Sequence, residues 1–433
     1  MTSTAEVGDQ VVARARGMRD LVRSEAAGSE RQRTLTPAIV DEMWASGLMS
    51  SFNPIPAGGV EPSFPEMIET WIEMAWQDGS FGWIGIANLP STFAAGAYLP
   101  DEGFAEVFTA HDNRITMGGQ FFPNGQGQAV DGGYRLSGSW SFGSGTGHSE
   151  YIAAGFMPMD DGEVRWISEG LPDMQVAIVP RDDITFTDGW YVQGLKGTGS
   201  YDYNAVDVFV PQYRTFPLFS RAPHRGASPA TRMGLMPVTA AGHASWALGV
   251  AKSMLDDVEE LAATKFRMSD MASLASRPTF QKGLAHHVAS WRAARLLVLD
   301  AFTQAEAAVA AGRRTHPGVA RGHAGGRRPR HRRREGVWGV GPSGGGHEFD
   351  PRGQQAGARL PRPLHRHAAR VHQREGGHRR GTDLARHHRG PARAMTGLSY
   401  SLRLVSTSSM CASAHAFTSH ISCWRDSPRP VSS

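Results

Sequence analysis

Lysine disappears from this chain after Lys282, and cysteine does not occur before Cys411. The second absence excludes a disulfide frame and a thiolate metal site from the body of the chain. A long apolar run is also missing. None approaches the roughly 20 residues needed to span a bilayer. The first residues, MTSTAEVGDQ, are polar and acidic where a secretory leader needs a basic and then an apolar stretch. These absences predict a soluble, cytoplasmic protein with no membrane partner.

What is present divides at about Gly312. From Arg313 to Ala394 there are 20 Arg, 10 His, five Asp or Glu and no Lys. That segment carries +15, the residues after it +2 and the whole chain +4, which leaves −13 for residues 1–312. The acidic body argues against nucleic acid as its partner. Three readings compete for the tail. Clustered cations fit an arginine-rich nucleic-acid arm. The low apolar content fits a disordered extension. A GC-rich coding strand read out of frame gives Arg, Ala, Gly, Pro and His without Lys. We favour the third. Met395-Thr396 read one base later must contain a stop, and GC-rich codons upstream of it can then encode a peptide with helix caps, helical period and balanced charge.

Along the body the pattern is helical, then β, then helical. Residues 5–30 are helix-prone. Thr36 is placed as the N-cap of a second helix, with Pro37 in its first turn and Gly47 at its end. Phe64 to Gln77 has apolar residues at helical spacing, and Gly82 to Tyr98 reads as a buried helix. Asp131-Gly132-Gly133 is a turn between strands, and Tyr151–Phe156, Met174–Val179 and Val206–Val210 are further strands. Long helices follow from Met233 and from Pro278. The expected fold is α+β and multidomain. It has an N-terminal helical domain (1–114), a central antiparallel, barrel-like β-domain (115–216), an incomplete C-terminal helical bundle (217–312) and an aberrant, disordered tail (313–433). Two long helices cannot bury both their faces alone, and a bundle usually has about four.

Two stretches carry a family resemblance: VDGGYRLSGSWSFGSGTGHSEY from Val130 to Tyr151, and GWYVQGLKGTGSYDYNAVDVFVP from Gly189 to Pro211. With the element order, they resemble the acyl-CoA dehydrogenase superfamily, on its flavin-dependent monooxygenase branch of two-component hydroxylases. The resemblance covers about residues 10–312. It implies a flavin, FAD or FMN, supplied reduced by a partner flavin reductase, and a small-molecule substrate. For the parent with its bundle intact it also implies a homo-tetramer. It places Phe142 against the isoalloxazine ring and the Ser144 hydroxyl near flavin N5, where an aromatic face and a small hydroxyl suit the ring's flat surface and changing hydrogen-bond needs. Without it, Phe142 is a core residue and Ser144 a turn residue. The loop Gly197-Thr198-Gly199-Ser200 is expected near the cofactor, with Thr198 and Gly199 as contacts, against the plainer reading of a strand-joining turn. Trp83 is a candidate wall of the substrate pocket, against the commoner role of a core indole. His148 is the weak catalytic candidate. His286 and His287 are adjacent, face different sides of a helix and form no metal site; His243 is expected to cap or pack.

A dehydrogenase of this superfamily needs a carboxylate to remove the substrate's α-proton. One family position for it corresponds here to Thr239, with Ala240 beside it, and neither residue can be that base. The resemblance therefore favours a monooxygenase acting on an aromatic or polycyclic substrate. The alternatives are an acyl-CoA dehydrogenase with a displaced base and, outside enzymes, a nucleic-acid binder using the basic tail. The Ser and His that hold the substrate hydroxyl in phenol hydroxylases have no counterpart at Gly119-Gln120 or Ser91–Phe93, so a simple phenol is not the expected substrate.

Overall fold

The structure is a computed structural model that describes residues 4–187, 189–266 and 272–313. The chain divides into two units, Met1–Ala320 and Arg321–Ser433. The second lies outside the described residues, and so do the readings of the tail and of the missing bundle helices.

The first unit opens with α1 (Thr4–Gly17) and α2 (Arg19–Gln32), which break at the fully buried Met18. Then follow α3 (Pro37–Ala45), α4 (Phe64–Gln77), α5 (Gly79–Tyr98) and α6 (Asp101–Val107). Thr36 holds the N-cap position of α3 without a capping side-chain bond. Its Oγ1 is buried and unpartnered, while its methyl lies toward Gly28, where an added Cβ would meet it at 3.1 Å. Packing against α2 has overridden the cap. α4 starts more conventionally, with the Glu66 carboxylate accepting the Ser63 N–H at 2.6 Å. α5 is capped by Asp78, whose side chain accepts from the Phe81 N–H at 2.9 Å. Burial pushes the Asp78 carboxyl upward from its usual pKa. Seventeen of the 20 residues of α5 are buried, so it is the central rod of the unit.

The sheet comprises β1 (Met117–Val130), β2 (Gly133–Gly143), β3 (Tyr151–Asp160), β4 (Glu163–Val164), the separate hairpin β5 (Trp166–Ser168) with β6 (Leu171–Pro172), then β7 (Gln175–Pro180), β8 (Thr185–Thr187), β9 (Tyr201–Pro211) and β10 (Thr215–Pro217). The main path is β10-β7-β3-β1-β2-β9-β8, with β4 on β3. The expectation of an antiparallel, barrel-like domain needs correction. β1 and β3 are parallel, and the path is open. The β1–β2 hairpin returns the chain to the end where β1 began, so the next strand, laid on the other edge of β1, runs the same way as β1. One face of the sheet has its own core of Leu136, Trp140, Ile152, Phe156, Tyr203 and Val210. The other packs with the helices through Met117, Ala153, Val176 and Ile178.

The chain returns to helix in α7 (Pro229–Met233), α8 (Leu235–Thr264) and α9 (Pro278–Ala310). A Cβ on Gly249 of α8 would sit 2.4 Å from the Ile72 carbonyl and 2.6 Å from the Ala75 Cβ. Only glycine lets α8 approach α4 so closely, and that approach sets α8 beside α5. α9 crosses both. Trp291 Nε1 donates to the Leu248 carbonyl at 2.9 Å, and Phe302 stacks on Phe64 with centroids 5.0 Å apart. Yet none of the 33 residues of α9 is fully buried. Among the described residues no helix is long and apolar enough to cross a membrane.

Candidate flavin site at the end of strand β2

Strand alternation should put Trp140 and Phe142 on the same face. It does not, because the pairing of β2 with β9 slips between Trp140 and Gly143. Trp140 stays inside, stacked on Tyr203 at 5.2 Å and donating from Nε1 to the Gly155 carbonyl. Phe142 turns outward and is 65% exposed. Its φ is +62°, a left-handed backbone that costs a non-glycine residue roughly 1 kcal/mol. Asp202 holds it there, Oδ1 accepting the Phe142 N–H at 3.0 Å. The indole of Trp190 meets the Phe142 ring edge-on at 6.2 Å. Gly143 comes next because a Cβ there would lie 2.6 Å from the Tyr203 ring.

The chain then dives. Ser144 is 8% exposed, and its N–H donates to the Phe142 carbonyl at 2.8 Å. Trp83 reaches it from α5, Nε1 donating to Ser144 Oγ at 2.9 Å. Behind Ser144 lie Ser200, Oγ to Oγ 2.9 Å, and Thr198, 2.7 Å further on. Thr198 Oγ1 donates to the Leu195 carbonyl at 2.8 Å, which also accepts from Trp190 Nε1 at 3.1 Å. Thr198 is fully buried, so its hydroxyl stands behind Ser144 rather than at the surface. Gly199 has φ +53° and donates its N–H to the Arg33 carbonyl at 2.9 Å. A Cβ there would meet Thr34 Oγ1 at 2.8 Å, so the loop closes tightly onto the link between α2 and α3.

Trp83 is half-buried between two helices. Its indole meets Trp246 of α8 edge-on at 5.0 Å and His243 at 5.6 Å. Trp246 Nε1 donates to the Gly79 carbonyl, pinning α8 to α5. His243 is exposed, and its Nδ1–H donates to the Thr239 carbonyl at 2.7 Å. A carbonyl only accepts, so in the neutral ring the free lone pair is on Nε2. His243 was expected to cap or pack; it packs, and the sequence did not show that its partner is Trp83, because the two lie on different helices.

His148 sits deeper, in the short 3-10 turn Thr146–His148. Nε2 lies 3.1 Å from Asn88 Oδ1 and Nδ1 3.3 Å from Thr34 Oγ1. The Asn88 amide nitrogen donates to the Met117 carbonyl, so its oxygen faces the imidazole and accepts from Nε2–H. Nδ1 then accepts from Thr34. Burial, with Arg181 nearby, lowers the His148 pKa to about 4. His148 is thus a neutral ring with both nitrogens engaged, tying α5, the α2–α3 link and the β-module together. Although the residue as a whole is only half-buried, it is the packing around its nitrogens that disfavours the charged form.

The arrangement presents an aromatic face beside a small hydroxyl, backed by polar contacts and roofed by indoles. It fits a flat heteroaromatic ring. Thr239 Oγ1 donates to the Met236 carbonyl, and the first carboxylate of α8 is Asp256, already bound to Lys252 and Trp76. No carboxylate from α8 serves the site. No cluster of three metal-ligating side chains occurs among the described residues.

Residues 241–329 match the family model for the acyl-CoA dehydrogenase C-terminal domain. The chain is 28% identical over 304 residues to the indole-3-acetate monooxygenase of Pseudomonas putida, covering 68% of this chain and 72% of that one. It is 29% identical over 311 residues to the oxygenase component of an FADH(2)-dependent resorcinol hydroxylase from Rhizobium sp., covering 69% and 74%. XiaF from Streptomyces sp., solved in complex with FADH2 and glycerol, superposes with a TM-score of 0.65 at 26% identity, over 72% of this chain and 78% of that one. The chain is thus similar to the oxygenase components of flavin-dependent monooxygenases, and part of it matches the acyl-CoA dehydrogenase C-terminal domain.

Proposed function

We propose that the protein is the oxygenase component of a two-component monooxygenase, hydroxylating an aromatic or polycyclic small molecule with reduced FAD or FMN delivered by a partner reductase. One observation carries the reading: the exposed aromatic ring of Phe142, held on a left-handed backbone two residues before a buried serine hydroxyl. Strain of this kind is tolerated where it is used, and here it turns an apolar side chain outward that would otherwise fill the core. The similarity to hydroxylases named for FADH(2) and indole-3-acetate supports the same reading.

The flavin, when bound, supplies the redox chemistry that activates oxygen. The residues around it bind and shield. Phe142 packs against the ring, Ser144 answers its polar edge, and Gly199 lets the loop after Lys196 close over the base of the site. Trp83 and Trp246 form an apolar wall that limits water, which protects a reactive intermediate from wasteful breakdown. His243 offers an Nε2 lone pair beside that wall, positioned to accept a proton from a substrate hydroxyl or amine. His148 stays neutral and holds the frame.

Self-association belongs to the same reading. α9 leaves Leu296 and Leu297 62% and 69% exposed, and a homo-tetramer would cover them; sedimentation of the full chain tests this. The tail is proposed to be an out-of-frame product, which sequencing the native coding strand decides. The function itself is tested by supplying chemically reduced flavin, oxygen and a panel of aromatic substrates. Hydroxylated product supports the proposal. Flavin reduction by an acyl-CoA under anaerobic conditions, with no hydroxylation, would replace it with a dehydrogenase.

A further inference from the structure

The first half of α8 has two unlike faces. Val238, Ala241, Gly242 and Ser245 are buried and pack the helix into the unit; a Cβ on Gly242 would sit 3.2 Å from the Ile86 side chain of α5. Met236, Ala240 and His243 are exposed. Spacings of four and three residues set them one above another on a single side of the helix. That side borders the proposed flavin site. The His243 ring meets the Trp83 indole at 5.6 Å and an angle of 88°, and Trp83 Nε1 reaches Ser144 Oγ at 2.9 Å. One indole thus separates the exposed stripe from the serine that follows β2.

The three residues offer different chemistry. Met236, 42% exposed, is a pliable apolar flank. Ala240 adds only a methyl, so the stripe is notched between Met236 and His243. The Nδ1–H of His243 is held by the Thr239 carbonyl of its own helix, which turns Nε2 away from the helix as a lone pair. Thr239 does not compete for that role, because its hydroxyl hydrogen goes to the Met236 carbonyl. The first charged side chain on α8 is Lys252, two turns beyond His243 and bound to Asp256. The stripe therefore brings an acceptor and an apolar notch, with no fixed charge of its own.

We infer that Ala240 and His243 determine which substrate the site accepts: the notch over Ala240 receives the edge of a flat, neutral ring system, and the Nε2 lone pair of His243 selects one ring N–H or O–H on it. The inference rests on the proposed oxygenase function and adds to it the residues that choose the substrate. A ring lying along Trp83 brings its edge to His243, since the two side chains stand at right angles and form a corner. A substrate edge with a donor hydrogen meets the lone pair and is held. An edge that carries only an acceptor sets lone pair against lone pair and is refused.

The test uses the full chain saturated anaerobically with reduced FAD or FMN, whichever binds more tightly, at mildly alkaline pH where an ordinary imidazole is neutral. Indole and benzofuran share one shape, but only indole carries an N–H. Equilibrium dialysis should show indole bound about tenfold more tightly by the wild type, the worth of one hydrogen bond. His243→Leu should bring that ratio to one. His243→Gln, which still offers an acceptor, should restore most of it. Ala240→Phe fills the notch and should weaken both ligands by about tenfold or more. Both positions are exposed on a helix, so the variants should fold, and their affinity for reduced flavin should hold because that site stands on Phe142 and Ser144. A ratio of one in the wild type, a ratio that survives His243→Leu, or unaltered binding in Ala240→Phe overturns the inference. So does a flavin-loaded chain that binds neither ligand. A chain that fails to bind reduced flavin at all overturns the proposed function, and the inference with it.

Discussion

Trp140 and Phe142 are both aromatic, lie two residues apart on one strand, and have opposite fates. Trp140 is 1% exposed and Phe142 65%. Trp140 has an ordinary strand backbone, a stacked partner and a satisfied N–H; Phe142 has φ +62° and one edge contact. The difference lies in the register slip between them. Up to Trp140 the strand builds a core. From Phe142 it builds a surface, at a cost in local strain that the aspartate at position 202 and the packed glycine at 143 absorb. The core and the proposed flavin-facing surface are thus separated by a single bulge.

The comparison can be broken by substitution on either side of it. Trp140→Ala should have the largest effect, a loss of about 3–5 kcal/mol, since it empties a fully packed site and orphans the Gly155 carbonyl; denaturant titration reads it. Gly143→Ala should come next, at about 2–3 kcal/mol, because the new Cβ meets a Tyr203 ring already wedged against Trp140.

The buried polar junction behind the bulge should show itself in pH. The folded pKa of His148 is about 4, below the roughly 6.5 of an unfolded histidine. The unfolded state therefore binds the proton more tightly. His148's contribution is fully present above about pH 6.5 and is lost as pH falls toward 4. Between pH 7 and 5 this amounts to about 2 kcal/mol. His148→Gln should flatten that part of the stability–pH curve. A wild-type curve that does not fall over this range would show that His148 is protonated in the fold.

The smallest effect is also the most diagnostic. Phe142→Gly relieves the left-handed backbone and exposes no core, so stability should hold or rise by up to about 1 kcal/mol. A clear loss of stability would mean that Phe142 belongs with Trp140, to the core, and the contrast would collapse.

Much of the fold was legible in the sequence, for local reasons. α4 was expected at Phe64–Gln77 and is found there, because Ser63, Pro65 and Asp78 punctuate a strongly periodic stretch. The turn at Asp131-Gly132-Gly133 and the start of α9 at Pro278 are equally local. Strand order was not legible. Period-two alternation says which face a residue takes, not which strand it pairs with, so the parallel pairing of β1 and β3 went unseen. Phe142, Ser144 and Trp83 were reached through the family resemblance. Asp202, Trp190 and Asn88 were missed, since each matters through a contact across more than 40 residues of sequence. Ser200 was named as part of the loop expected near the cofactor, but its contact with Ser144 was not foreseen.

The central claim is that a flavin lies on Phe142. Anaerobic titration of the full chain with reduced FAD and reduced FMN, beside Phe142→Gly, tests it most directly. The account predicts saturable binding to the wild type and about tenfold or greater weakening in the variant, whose melting temperature is not lowered. Equal affinity in the two proteins, or no binding to the wild type, would contradict it.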